Sequence, residues 1–185
     1  MSLTESEFAA LRHTIAIRGT VRIAVLPLTI VAWAAVSATL IPLVLFDQWS
    51  AAVLLPLAIL VGGFEAIHAL HVGAERIGRY LQVFYESGDL EGPRWETTAM
   101  AVGPALPGGG IDPLFTVVFA STTVINMAPA VWLPFSRPAL AVVIAALHGA
   151  FLLRLFRSRV AAARQRAVEL ESFRALKSPP PETKP

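Results

Sequence analysis

Between Arg22 and Asp47 the chain runs for 24 residues, Ile23 to Phe46, without one charged side chain. An α-helix rises about 1.5 Å per residue, and the hydrocarbon core of a bilayer, about 30 Å thick, takes roughly 20 apolar residues to cross. A run of this length therefore predicts a membrane-spanning helix. Pro27 and Pro42 sit toward its two ends, where a missing backbone donor costs least. Ser37 and Ala38 are small enough to suit signal cleavage. However, the long arm before Arg22 and the apolar run to Phe46 exceed the apolar core of about 7 to 15 residues that a signal peptide carries, so the span is expected to be retained.

Three more stretches can cross. The second begins near Ala51, and because fourteen residues before Glu65 are too few, it must continue to about His71, which places Glu65 and His68 inside the membrane. The third covers residues 113–136 and is uncharged; the fourth covers 138–156 and reaches Arg154, whose long side chain can extend to the interface. With 55% hydrophobic and 15% charged residues, the composition fits an integral membrane protein. The expected fold is an all-α, four-transmembrane-helix bundle forming a single domain over residues 1–177. A disordered Pro-rich tail over residues 178–185 is expected to follow.

Orientation follows from the basic residues. Fourteen of the fifteen Lys and Arg fall in the N-terminal arm, in the segment between the second and third spans, or in the C-terminal arm from Arg154 to Lys184; Arg137 alone falls on the opposite side. The positive-inside rule then places both termini in the cytoplasm. Trp49 and Trp132 fall at the outer ends of their spans, as an aromatic belt requires. Thirteen of the basic residues are Arg and alanine is abundant, a bias that suggests a bacterial inner membrane. A net charge of only +2 makes no case for nucleic acid, and the absence of cysteine excludes thiol nucleophiles, disulfides and thiolate metal sites.

Outside the spans, Thr4-Glu5-Ser6-Glu7 is a capping box that starts an amphipathic N-terminal helix, with Phe8, Leu11 and Ile15 on one side, which serves either to rest on the cytoplasmic leaflet or as a helical lead-in to the first span. The second span is expected to extend to Glu86, with Glu75 and Arg79 paired at i,i+4. Trp95 to Val102 reads as a short interfacial stretch. Gly108-Gly109-Gly110 reads as a turn, since neither a following Lys-Ser/Thr nor a preceding strand supports a phosphate loop. The fourth span is expected to continue as a cytoplasmic helix with a packing stripe of Phe156, Val160, Ala163, Ala167, Leu170, Phe173 and Lys177. Its basic residues Arg154, Arg157, Arg159, Arg164 and Arg166 form a candidate surface for lipid or a partner protein.

An acid or base at the centre of a spanning helix costs about 2.5–3.5 kcal/mol to insert, so each needs a partner or a role. By rise per residue, Glu65 lies about 21 Å, His68 about 25 Å and His148 about 15 Å from the outer ends of their helices. Thr116, Ser121, Thr122 and Asn126, with Thr29, Trp33 and Ser37, can supply hydrogen bonds between helices. Gly62, Gly63, Ala66, Ala69 and Gly73 allow close approach. Glu65, His68, His148, Ser121 and Thr122 form either a satisfied polar core, with Glu65 hydrogen-bonded to a histidine or threonine, or a candidate proton or ion site. His68 and His148, with Glu65, are a candidate haem or metal set, and Glu65-Ala66-Ile67-His68 has the Glu-x-x-His spacing of di-iron bundles. A di-iron site needs a second such motif, which the spans lack. A Ser121–His148–Glu65 nucleophilic triad rests on geometry alone, so no enzyme activity and no resident cofactor are expected. The sequence favours an accessory subunit or homo-oligomeric membrane protein, embedded in the lipid bilayer within a larger complex. A small proton-coupled transporter or channel using Glu65 is the alternative, and a b-type haem or metal-binding protein the lesser one.

Overall fold

A computed structural model of the chain describes residues 3–46, 49–86, 94–102, 112, 114–132 and 138–178. Among these, every regular element is helical: α1 (Leu3–Leu45), a 3-10 turn (Ser50–Val53), α2 (Leu54–Phe84), α3 (Trp95–Val102), α4 (Thr116–Trp132) and α5 (Pro138–Lys177). Helices α1, α2 and α5 are each long and apolar enough to cross a membrane. At 17 residues α4 is shorter, about 26 Å by rise per residue, and the outer end expected for the third span lies outside the described residues. So do the Gly108–Gly110 turn, Arg137 and the tail from Pro179.

Two units emerge, and α1, α2 and α5 each contribute a stretch to both. The first, here called the polar unit, comprises Met1–Gly19, His71–Ile111 and Ala161–Pro185; the second, the apolar unit, comprises Thr20–Leu70 and Asp112–Val160. The apolar unit is built around Phe64, whose ring meets Phe119 and Phe151 edge to face at 5.5 and 5.9 Å, with Leu57, Leu60, Ile67, Leu114 and Leu155 closing the core. Val44, Ala52, Val53, Ala130 and Ile144 form a second cluster. Gly63 is required where it stands, because a Cβ there would overlap Thr29 of α1. Asp112 caps α4, accepting bonds from the amides of Leu114 and Val117 and the hydroxyl of Thr116, and Phe115 makes the turn with φ at 52°.

The outside of this unit is as apolar as its core. Leu28, Val31, Val117 and Val142 are each about two-thirds exposed, and only 11% of the most apolar stretch of α1 is buried. In water such a surface would drive association, whereas lipid tails solvate it without cost.

The polar unit packs by other means. Phe8, Tyr80, Phe84, Tyr85 and Phe173 make a continuous run of ring contacts at 4.7 to 6.3 Å. Phe8 of the N-terminal arm therefore packs against protein, and α1 runs from Leu3 to Leu45 without a break. Of the two readings of the capping box, the continuous α1 matches the helical lead-in to the first span.

Within the apolar unit the first two positions of the stripe expected along the fourth helix do not face the chain's own core. Phe156 and Val160 are more than half exposed, while His148, Phe151, Leu155 and Ser158 are buried. The helical period is right but its phase is displaced by one position, because the packing partner chooses the face. In the polar unit Phe173 keeps its expected role against Tyr80 and Phe84, and Lys177 Nζ donates to the carbonyl of Val83 at 2.8 Å.

Candidate functional site

The centre of the apolar unit's polar chemistry is Asn126, which is 6% exposed. Its side-chain amide donates to the carbonyl of Val53 at 2.9 Å and lies 3.0 Å from His148 Nε2, and its Oδ1 accepts from the Trp33 indole at 3.2 Å. Trp33 is only a donor and the Val53 carbonyl only an acceptor, so the orientation of the amide is fixed. His148 Nε2 must then accept, and its Nδ1–H donates to the carbonyl of Ile144 at 2.8 Å. All the hydrogen-bonding capacity of the fully buried imidazole is consumed, as a neutral ring in one tautomer. The hub joins α1, the 3-10 turn, α4 and α5. A cavity of about 140 Å³, lined by Trp33, Ser37, Val44, Val53, Ile125 and Asn126 among others, lies beside it.

Glu65 is elsewhere. Its Oε2 accepts from Arg154 Nη2 at 2.9 Å, the guanidinium stacks 5.8 Å from the Phe64 ring centroid, and both charged side chains are about two-fifths exposed (43% and 40%). Arg154, expected to reach for the interface, instead neutralises the carboxylate on the unit's surface. No hydrogen bond or ion pair among the described residues joins Glu65, His68 and His148. His68 stacks on Phe64 at 6.0 Å, and its Nε2 is buried without a partner. Thr122 bonds back to the carbonyls of Val118 and Phe119 on its own helix, and Ser121 is exposed. The expected constellation is thus divided into a surface ion pair, a closed hub and a self-satisfied threonine. Among the described residues no group of three His, Asp or Glu is placed to hold a metal ion.

The polar unit holds a charge network that the sequence reading only touched. Arg79, 4% exposed, bonds both Glu75 and Glu169; Arg76 joins Glu169, Arg166 joins Glu75, and Gln165 also donates to Glu169. Burial pushes the Glu169 carboxyl up, but hydrogen bonds from Gln165, Arg79 and Arg76 outweigh it and hold the group below its ordinary value of 4.5. Glu75 is likewise lowered, burial being outweighed chiefly by Arg166. Glu96 is raised, because burial and the nearby Glu86 and Glu75 exceed the effect of its partner Arg12. Partial burial and Glu7 push the Tyr85 hydroxyl up to about 12. Glu86 caps α3, accepting from the amides of Glu96 and Thr97 and from the Thr97 hydroxyl at 2.8 to 2.9 Å. Of the five basic residues expected to form a surface, Arg154 and Arg166 are spent on Glu65 and Glu75, while Arg157, Arg159 and Arg164 stay exposed.

Asn126, Glu86 and Glu169 are what sequence reasoning undervalued. Asn126 carried a signal, as the one amide side chain in an uncharged run; the partners of Glu86 and Glu169, 10 and 90 residues away, carried none. Comparison of the chain with family models, with curated proteins and with solved structures finds no match.

Proposed function

We propose that this chain is a non-enzymatic, multi-pass subunit of a bacterial inner membrane assembly, crossing four times with both termini in the cytoplasm. What carries the reading is the place of its one spanning-segment carboxylate: Glu65 meets the surface of the apolar unit, paired with Arg154, instead of converging with His148. A proton path needs titratable groups in series through the bundle. Here the buried histidine is locked in neutral hydrogen bonds and the carboxylate already has a counter-ion, an arrangement suited to holding helices and meeting a neighbour. The ring and charge contacts of the polar unit give the cytoplasmic side a rigid surface for such assembly.

Native mass spectrometry of the protein released gently from nanodiscs tests this. The expected result is a species heavier than the 19.8 kDa chain, either a multiple of it or the chain with a stoichiometric companion. A strict monomer, together with proton flux in liposomes that Glu65→Gln abolishes, would overturn the reading in favour of the transporter.

A further inference from the structure

We propose that two copies of this chain pair through the outward face of α2, each Glu65 meeting the partner's Arg154 across a two-fold axis. The inference rests on the assembly reading and names its partner.

The Glu65–Arg154 pair is only half used. One bond, Nη2 to Oε2, joins the two side chains; among the described residues Glu65 Oε1 and the remaining guanidinium donors have no hydrogen-bond partner. Both side chains are about two-fifths exposed, in a unit with apolar residues that are more exposed still, such as Leu153 and Leu55. By rise per residue Glu65 lies about 9 Å inside the expected boundary at His71, where unmet charge is expensive. A carboxylate beside a guanidinium is its own electrostatic complement: a two-fold rotation brings acid onto base twice and like charges nowhere, so a second copy needs no new chemistry to meet it. A guanidinium bound by two carboxylates also uses the donors that one leaves idle.

The neighbouring surface permits the approach. Ala58, Gly62, Ala66 and Ala69 are exposed on the same side of α2, and a Cβ built on Gly62 meets no atom within 4 Å. Small residues by themselves would not say what docks there; the ion pair does.

The test co-expresses two differently tagged chains and measures co-purification. Glu65→Arg and Arg154→Glu each place like charges across the axis, so each variant should lose self-pairing by about tenfold or more. The two variants expressed together restore both crossed pairs, and a heterodimer at wild-type yield is the expected result. Undiminished self-pairing of either variant, or no recovery in the mixture, overturns the proposal. If the reversed variants fail to accumulate, Gly62→Leu decides: it fills open space in the single chain, so the fold and its unfolding temperature should persist while pairing is lost. Persistent pairing of Gly62→Leu refutes the interface. A wild-type chain that binds a different protein in place of itself sinks this proposal and leaves the assembly reading standing; a wild-type monomer without companion sinks both.

Discussion

The apolar and polar units are made from stretches of the same helices, yet they treat charge in opposite ways. In the apolar unit the buried polar groups are neutral, closing on themselves through Asn126, Trp33 and His148, and the Glu65–Arg154 pair stands at the surface. In the polar unit the most buried cation, Arg79, sits between two carboxylates, and the surface carries further pairs. The proposed topology, with lipid around the apolar unit and water around the polar one, accounts for the difference. A charge buried in a helical cluster surrounded by water can be fed by several long side chains reaching in from the rim, whereas within a bilayer each such charge must first be desolvated, so neutral amide and imidazole groups do the joining.

Breaking the polar unit should cost most. Arg79→Met removes the buried cation that Glu75 and Glu169 share and leaves each with one more exposed arginine, Arg166 or Arg76, and about 3–5 kcal/mol should be lost. Hydrogen exchange should rise in the α5 segment after Ala161 while the segment before Val160 stays protected; equal loss in both would contradict the division. Asn126→Leu in the apolar unit should cost less, about 3 kcal/mol, since the stranded Trp33 indole, Val53 carbonyl and His148 Nε2 are neutral. Thermal unfolding in detergent measures it.

Acid sharpens the contrast. Glu75 and Glu169 have folded pKa values below 4.5, so they stabilise the polar unit fully above that pH, and the contribution is lost as pH falls through the lowered values. Glu96 has the opposite sign: raised in the fold, it favours the folded state below 4.5 and loses that advantage as pH rises through its folded value. Limited proteolysis from pH 6 to 3 should therefore open the polar unit, and Glu96→Gln should make the loss on acidification steeper. A polar unit as resistant at pH 3 as at pH 6 would refute this.

Smaller effects come from glycine and from the rim. Gly63→Ala should cost about 1–3 kcal/mol against Thr29, while Gly62→Ala, facing open space, should leave the single chain unchanged or stabilise it by up to about 1 kcal/mol. Arg76→Gln removes a pair whose arginine is 57% exposed and should change unfolding by no more than about 1 kcal/mol.

The contrast also explains which parts of the molecule could be read in advance. Uncharged runs and breakers are local, and they placed the ends of α2 and α5 and the end of α1 to within a few residues, while the stretch from Trp95 to Val102, read only as interfacial, is a helix. Which side chain meets which is not local. Glu65 and His148 fall at compatible depths, but depth says nothing about azimuth, and Arg154 on α5 reached Glu65 while His148 turned to Asn126. Which face of α5 meets the chain's own core was hidden for the same reason. Phe156 and Val160 obey the helical period, as do Phe151 and Leu155, and only the neighbouring helices select between the two faces.

The absence of cysteine makes the central claim directly measurable, because each introduced thiol is the only one in the chain. In intact spheroplasts a membrane-impermeant maleimide should label Trp49→Cys, should label Ser6→Cys and Ser172→Cys only after permeabilisation, and should leave Leu28→Cys unlabelled throughout. Labelling of Ser172→Cys from outside, or of Leu28→Cys under either condition, would contradict the proposed crossings.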